Sequence, residues 1–300
     1  MPTAFVNGID IYFERDGSGR PLLFLNGSGS TLEGSKMLID PFRARADVVA
    51  HDQRGLGRTS VPAGPYTMAD YAADAAALLD HVGWPTCAVV GVSFGGMVAQ
   101  ELAVTWPERI ERLALVCTSP GGPDAASYPL HTLAELDEAD RGAVAIRLLD
   151  TRFTPEWLAT HDSDRMLAQF MAQRSTPAPD SDAASRATAS RVPTERARGA
   201  REGPPQPAAL GERSEQEARD GAREQLLARS GHDVCDRLGR ITCPTFVAAG
   251  RYDGIAPLGN AEAIAARVPG STLHVYEGGH AFFAQDPAAI PDVIDFLTTP

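Results

Sequence analysis

Along this chain the apolar positions change period repeatedly, and each change marks an element. Residues 4–7 and 9–15 alternate around Asn7-Gly8, a pair that favours the positive φ angles of a tight hairpin. Pro21-Leu22-Leu23-Phe24-Leu25 is a continuous apolar run, as expected of a strand buried on both faces. It stops at Asn26-Gly27-Ser28-Gly29. A short helix is predicted over 31–42, then a second buried strand over 46–50 that ends in the glycine-rich turn 52–60. Thr67 is placed to cap the next helix, with Asp70 as its acidic partner. Met68, Tyr71, Ala75, Leu78, Leu79 and Val82 recur there at helical spacing, up to Gly83. Another apolar run ends at Val90, and after residues 91–95 the period turns helical again, with Met97, Val98, Leu102 and Ala103 on one side. A further strand covers 110–116. Strand and helix thus alternate from residue 21 to 117, which predicts a parallel sheet with helices on both faces.

From about 120 to 174 the alternation breaks. Two amphipathic helical stretches are predicted, 131–149 and 155–173, the second opened by Thr154-Pro155 as cap and first-turn residue. They read as a lid inserted into the sheet domain. Residues 175–225 are rich in Ala, Arg, Pro, Ser, Glu and Gly, with Val192 and Leu210 as their only large aliphatics. Such a tract buries too little apolar area to offset its ordering entropy and is expected to be disordered up to about 212, with a polar helix leading into Leu226-Leu227. Alternation resumes with a strand over 242–250, a helix over 258–268, a strand over 271–276 and a closing helix over 287–297. The expected division is a sheet core of 1–119 and 232–300, a helical lid of 120–174 and a low-complexity tract of 175–225.

Chemistry gathers at the ends of the predicted strands. Gly91-Val92-Ser93-Phe94-Gly95 is a G-x-S-x-G motif between a strand and a helix. The motif needs that context, because a sharp turn must lift the serine hydroxyl to the helix N-terminus. There the Phe94 N–H and the helix dipole can stabilise an oxyanion. An activated serine needs a base, and the base an orienting acid. Asp253 follows the strand over 242–250, and His280, in Glu277-Gly278-Gly279-His280, follows the last strand. Ser93, Asp253 and His280 therefore fall at carboxyl ends of strands, where open α/β sheets bind ligands. His51 is the best rival base, expected to pack beside the site's rim, and Asp52 and Glu277 are rival acids. The Ser28 N–H, in the loop after the first buried strand, is the expected second oxyanion donor. Asn26, Met97, Trp157 and Phe282 are the expected substrate-pocket positions.

Composition narrows the partners. The formal charge of −12 argues against nucleic acid and anionic membrane surfaces. No apolar run reaches the roughly 18 residues of a membrane span, and the first residues lack a basic and an apolar region of a leader. A cytoplasmic location, as monomer or homodimer, is expected. The four cysteines show no C-x-x-C spacing and no histidine pair has ligand spacing, so no metal cluster is expected.

These motifs, in this order, resemble the α/β-hydrolase superfamily along the whole chain except 175–225. The matching stretches are Asn26-Gly27-Ser28-Gly29, Asp52-Gln53-Arg54-Gly55-Leu56-Gly57-Arg58-Thr59-Ser60, the Ser93 elbow, Gly250-Arg251-Tyr252-Asp253 and Gly279-His280. Residues 52–119 are similar to the 3-oxoadipate enol-lactonase and haloperoxidase-like branch. The resemblance implies a mostly parallel eight-stranded sheet with a helical lid after the sixth strand. It also implies a cofactor-free serine hydrolase acting on a small ester or lactone through an acyl-enzyme on Ser93. Asn26 stands where the family usually has histidine. Two other readings share the fold: a carbon–carbon bond hydrolase of a diketone using the same triad, and a triad-bearing protein that binds its ligand with negligible turnover.

Overall fold

A computed structural model describes residues 3–123, 125–175 and 214–299. The chain opens with the antiparallel hairpin β1 (Thr3–Val6) and β2 (Ile9–Gly17). Asn7 and Gly8 form its turn with φ of 49° and 78°, as their residue types favour. β3 (Pro21–Leu25), β4 (Asp47–His51), β5 (Cys87–Val92), β6 (Ile110–Val116), β7 (Thr245–Gly250) and β8 (Thr272–Tyr276) pair in parallel. The eight strands lie in the order β1-β2-β4-β3-β5-β6-β7-β8. β7 starts three residues later than the apolar pattern suggests, directly after Pro244, which has no amide to donate.

Because successive strand side chains point to opposite faces, each buried strand feeds two cores. Leu23, Leu25, Val49, Val89 and Leu115 pack with α2 (Met68–His81), α3 (Phe94–Thr105) and α8 (Leu258–Arg267). Leu22, Phe24, Val48, Val90 and Val116 pack with α1 (Leu32–Arg43) and α10 (Ala289–Thr298) on the other face. Thr67 and Asp70 form the expected capping box at the start of α2. Arg54, in the turn after β4, makes a bidentate ion pair with Asp74 of α2 at 2.7 Å on both arms, and both side chains are nearly buried.

The lid after β6 is more broken than its periodicity implies. A 3₁₀ segment at Leu130–Glu135 precedes α4 (Glu138–Leu149), which Asp137 caps. The second stretch divides at His161 into α5 (Pro155–Thr160) and α6 (Asp162–Ser175). Most of the tract expected to be disordered, 176–213, lies outside the described residues. Beyond it, the polar helix expected to lead into Leu226-Leu227 is α7 (Glu215–Ser230), opened by a capping box between Ser214 and Glu217. Good helix formers between two cap signals outweigh the scarcity of apolar residues there, and a narrow buried stripe of Gly221, Gln225, Ala228 and Arg229 docks the helix. The short α9 (Phe282–Gln285) lies between β8 and α10.

Candidate active site

The geometry of the site starts with the glycines around Ser93. Ser93 adopts φ 54° and ψ −114°, a conformation an L-residue enters only under constraint. A Cβ at Gly91 would lie 2.7 Å from Gly96 Cα, and one at Gly95 would meet the Leu25 and Asn26 carbonyls, so strand, helix and β3 loop could not approach. The Ser93 N–H donates to the Val116 carbonyl at 2.8 Å, and Thr118 Oγ1 donates to the Ser93 carbonyl at 2.7 Å. The strained residue is thereby pinned to the end of β6. Phe94 opens α3, so its N–H is one of the first-turn amides with no intrahelical acceptor.

Ser93 Oγ lies 3.0 Å from His280 Nε2, and His280 Nδ1 lies 2.8 Å from Asp253 Oδ2. The other oxygen of Asp253, Oδ1, accepts the N–H groups of Ile255 and Ala256, both at 2.8 Å. The Asp253 side chain is fully buried, while that of His280 keeps 14% exposure. A carboxylate only accepts at neutral pH, so Nδ1 carries the imidazole proton and Nε2 turns a lone pair to the serine hydroxyl. The three residues expected from the strand ends are thus brought into one hydrogen-bonded line.

Neither side-chain type nor spacing pointed to what holds the Asp253 and His280 loops. The Leu148 carbonyl accepts from Gly254 N–H at 3.1 Å, the Leu149 carbonyl from His280 N–H at 2.5 Å, and the Tyr252 carbonyl from Thr151 N–H at 2.9 Å. The end of α4 therefore clamps both loops through its backbone. Gly279 makes room for this clamp, since a Cβ there would press on Asp150, 2.6 Å from its Cα. Buried Asp150 then binds Arg152 at 2.6 Å and Gln285 at 3.0 Å, tying lid to α9. Backbone contacts of this kind leave no sequence signal.

The loop after β3 reaches Ser93 from the other side. A Cβ on Gly27 would lie 3.6 Å from Ser93 Cβ, so this loop is in contact range of the elbow. The Asn26 carbonyl accepts from Gln53 Nε2 at 2.6 Å, and the Gly29 N–H donates to Gln225 Oε1 at 2.7 Å. Asn26 is buried and its Nδ2 has no hydrogen-bond partner among the described residues. Asp52, a rival acid by sequence, instead accepts the N–H groups of Leu32 and Arg58 at 2.7 and 2.8 Å and orders the neighbouring turns. Glu277, the other rival, pairs with Arg251 on the surface.

Three of the four expected pocket positions are used differently. Met97 is packed into the core under α2 and α3. Phe282 is fully buried in the opposite core and stacks on Tyr276 at 5.2 Å. Both are large apolar residues on helices that pack against the sheet, and burial there outweighs exposure to a pocket. Trp157 stacks on His161 at 3.7 Å, lies under the Arg152 guanidinium and donates from Nε1 to Asp164, which makes it an internal bracket of the lid. His51 ends β4 fully buried, and burial pushes its pKa down to about 4, so it is neutral at physiological pH. His232 is held near 4 for the same reason, and buried Arg229 is pulled down to about 10. The Cys117 thiol is pushed well up by burial, with Asp253 adding to the effect. Among the described residues no group of His, Cys, Asp or Glu could hold a metal ion, and no helix is long and apolar enough to cross a membrane.

A strained serine at the strand–helix elbow of an eight-stranded sheet, in line with a histidine and an aspartate from two later strand ends, is the architecture of an α/β hydrolase. The chain belongs to the alpha/beta hydrolase fold family, whose model matches residues 20–287. It is 27% identical over 286 residues to a poly(3-hydroxyalkanoate) depolymerase of Ectopseudomonas oleovorans, covering 92% of this chain and 84% of the relative. It is 26% identical over 278 residues to 3-oxoadipate enol-lactonase 2 of Acinetobacter baylyi, covering 91% and 86%. The enol-lactonase structure from Burkholderia xenovorans shares the fold with a TM-score of 0.71 at 19% identity, covering 99% of this chain and all of the other.

Proposed function

We propose that this protein is a carboxylic ester hydrolase, an esterase or lactonase acting on a small organic substrate through an acyl-enzyme on Ser93. The observation that carries the reading is the unbroken hydrogen-bonded line from Ser93 Oγ through His280 to Asp253. Ser93 Oγ attacks the ester carbonyl as His280 Nε2 takes its proton. The negative charge moves to the carbonyl oxygen, which accepts hydrogen bonds from the Phe94 and Ser28 N–H groups. Each such donor contributes roughly 3 kcal/mol to the transition state. The tetrahedral intermediate collapses, the alkoxide leaves with the proton from His280, and Ser93 is acylated. His280 then takes a proton from water, whose oxygen attacks the acyl carbonyl, and the proton returns to Ser93 Oγ. Asp253 holds the tautomer and stabilises the imidazolium in both halves.

Two relatives of nearly full length support the bond class, since one is named as a depolymerase of a poly(hydroxyalkanoate) and the other as an enol-lactonase. We read the helices α4, α5 and α6 as the lid that shapes the acyl or alcohol pocket. The test is turnover of short p-nitrophenyl esters and lactones by the wild type and by Ser93→Ala. The wild type is expected to turn over and the variant to lose at least about 10³-fold in kcat. Equal rates in the two would refute the assignment.

A further inference from the structure

Helix α7 follows the lid and docks on the sheet domain through its buried stripe. That stripe touches, in order, segments that follow β4, β3 and β6. Gly221 lies against the backbone of Gly55 beyond β4, where any added Cβ would clash. Gln225 binds Gly29 beyond β3, and Arg229 Nη1 donates to the Tyr128 carbonyl, in the segment that follows β6, at 2.6 Å. From Gly221 to Arg229 an α-helix rises about 12 Å. That is close to the roughly 14 Å from β4 to β6 in the observed strand order. The helix therefore crosses the carboxyl edge of the sheet from the loop after β4 past the loop after β3, which carries Ser28.

Within this crossing two buried glutamines bracket Ser28. Gln53 donates to the carbonyl of Asn26, two residues before it, and Gln225 accepts from the N–H of Gly29, the residue after it. The partners fix the orientation of both amides. A peptide N–H only donates, so Gln225 must present its oxygen, and a carbonyl only accepts, so Gln53 must present its nitrogen. Gln225 is fully buried, and among the described residues its Nε2 has no partner. A polar side chain so placed costs free energy unless its one bond matters to the fold or to the site. Gly29 itself has φ +67°, so its peptide is set by the loop and not by a regular element.

We propose that Gln225 is a positioning residue that fixes the Ser28–Gly29 peptide and, through Ser28, restrains the adjoining Gly27–Ser28 peptide whose N–H is the donor. The inference rests on the reading of Ser28 as an oxyanion donor. Gln225 acts through the loop and touches no substrate. The oxyanion geometry of the N-terminal half of the chain is then set by a helix that follows the lid, 196 residues away in sequence.

The experiment compares the full-length wild type with Gln225→Met, which fills a similar volume without the acceptor oxygen, and with Gln225→Glu, which keeps an acceptor at the same reach. The readouts are kcat and KM on a p-nitrophenyl ester, affinity for phenylboronic acid, which becomes tetrahedral on an active-site serine, and hydrogen exchange of the peptide spanning 26–30. For Gln225→Met, kcat is expected to fall about 10- to 100-fold with KM within about twofold, because a displaced donor weakens the transition state and not the ground state. Boronate affinity falls in parallel, the Gly29 amide exchanges faster, and Gln225→Glu recovers most of the loss. A folded Gln225→Met enzyme with kcat within twofold of wild type overturns the proposal, as does unchanged exchange of the loop or a Glu variant as slow as the Met variant. If Gln225→Met does not fold, the Glu variant decides by the same three readouts. A wild type without Ser93-dependent turnover would instead sink the proposed function, and the exchange measurement, which needs no substrate, would still decide whether Gln225 holds the loop.

Discussion

Replacing Asp253 by asparagine is the most discriminating change to the site, because its surroundings dictate how the new side chain must sit. Asp253 Oδ1 accepts two backbone N–H groups, from Ile255 and Ala256, both at 2.8 Å. In Asp253→Asn the amide oxygen must stay at that position. Turning the NH2 there would set it against two donors in a fully buried place, losing two hydrogen bonds at about 1 kcal/mol each and leaving the donors unsatisfied. The amide nitrogen therefore faces His280 Nδ1, the atom that Asp253 Oδ2 now meets at 2.8 Å. Two N–H groups cannot face each other, so the imidazole moves its proton to Nε2. That nitrogen, 3.0 Å from Ser93 Oγ, becomes a donor and can no longer take the serine proton. The expected loss in kcat is about 10⁴-fold, or about 5 kcal/mol at roughly 1.36 kcal/mol per decade. Shape and neighbours are unchanged, so the melting temperature should move little. The assay is steady-state hydrolysis of a p-nitrophenyl ester beside a thermal melt. A folded variant within tenfold of the wild-type kcat would show that Asp253 does not set the tautomer.

Two further expectations concern stability. His51 and His232 are buried with pKa values pushed down to about 4, below the roughly 6.5 of an unfolded histidine. Between those values the unfolded chain binds protons that the folded one refuses, so stability is complete above about pH 6.5 and is lost as pH falls toward 4. From pH 7 to 5 the two together should remove about 4 kcal/mol, read as a falling urea midpoint, and His51→Gln should reduce the fall; a midpoint independent of pH over this range would contradict it. The buried Arg54–Asp74 pair gives the second expectation. Asp74→Ala leaves the buried guanidinium only Asp70, at 3.9 Å, and should cost about 3–5 kcal/mol in urea unfolding, whereas Arg54→Met with Asp74→Leu should cost less than the single change.

The sheet and the reactive line were readable in the sequence because both are local signals repeated in order. Strand, glycine turn and helix around Ser93 leave a pattern of periods, and Asp253 and His280 each follow an apolar run that ends in glycine. What was not readable depends on contacts between distant backbones. The clamp of Leu148 and Leu149 on the Asp253 and His280 loops uses carbonyl oxygens, which every residue has. Gln225 sits in a stretch whose composition is that of a solvated segment, and only its burial against Gly29 distinguishes it. The burial of Met97 and Phe282 in the two cores was hidden for a related reason. Met97 and Phe282 have the same apolarity whether they face a ligand or a core, and periodicity does not choose between those faces when both are buried.

Ser93 holds a backbone angle of φ 54° that glycine would occupy without penalty. A side chain in that region costs of order 1–3 kcal/mol, a sizeable part of the roughly 5–15 kcal/mol that keeps a domain folded. Fold and chemistry therefore make opposite demands on one position. Were turnover no longer under selection, the same turn would be stabler with glycine at 93, and the hydroxyl would be among the first groups that drift could discard. Under the proposed function, a side chain kept at so costly an angle records selection on the reaction and not on stability.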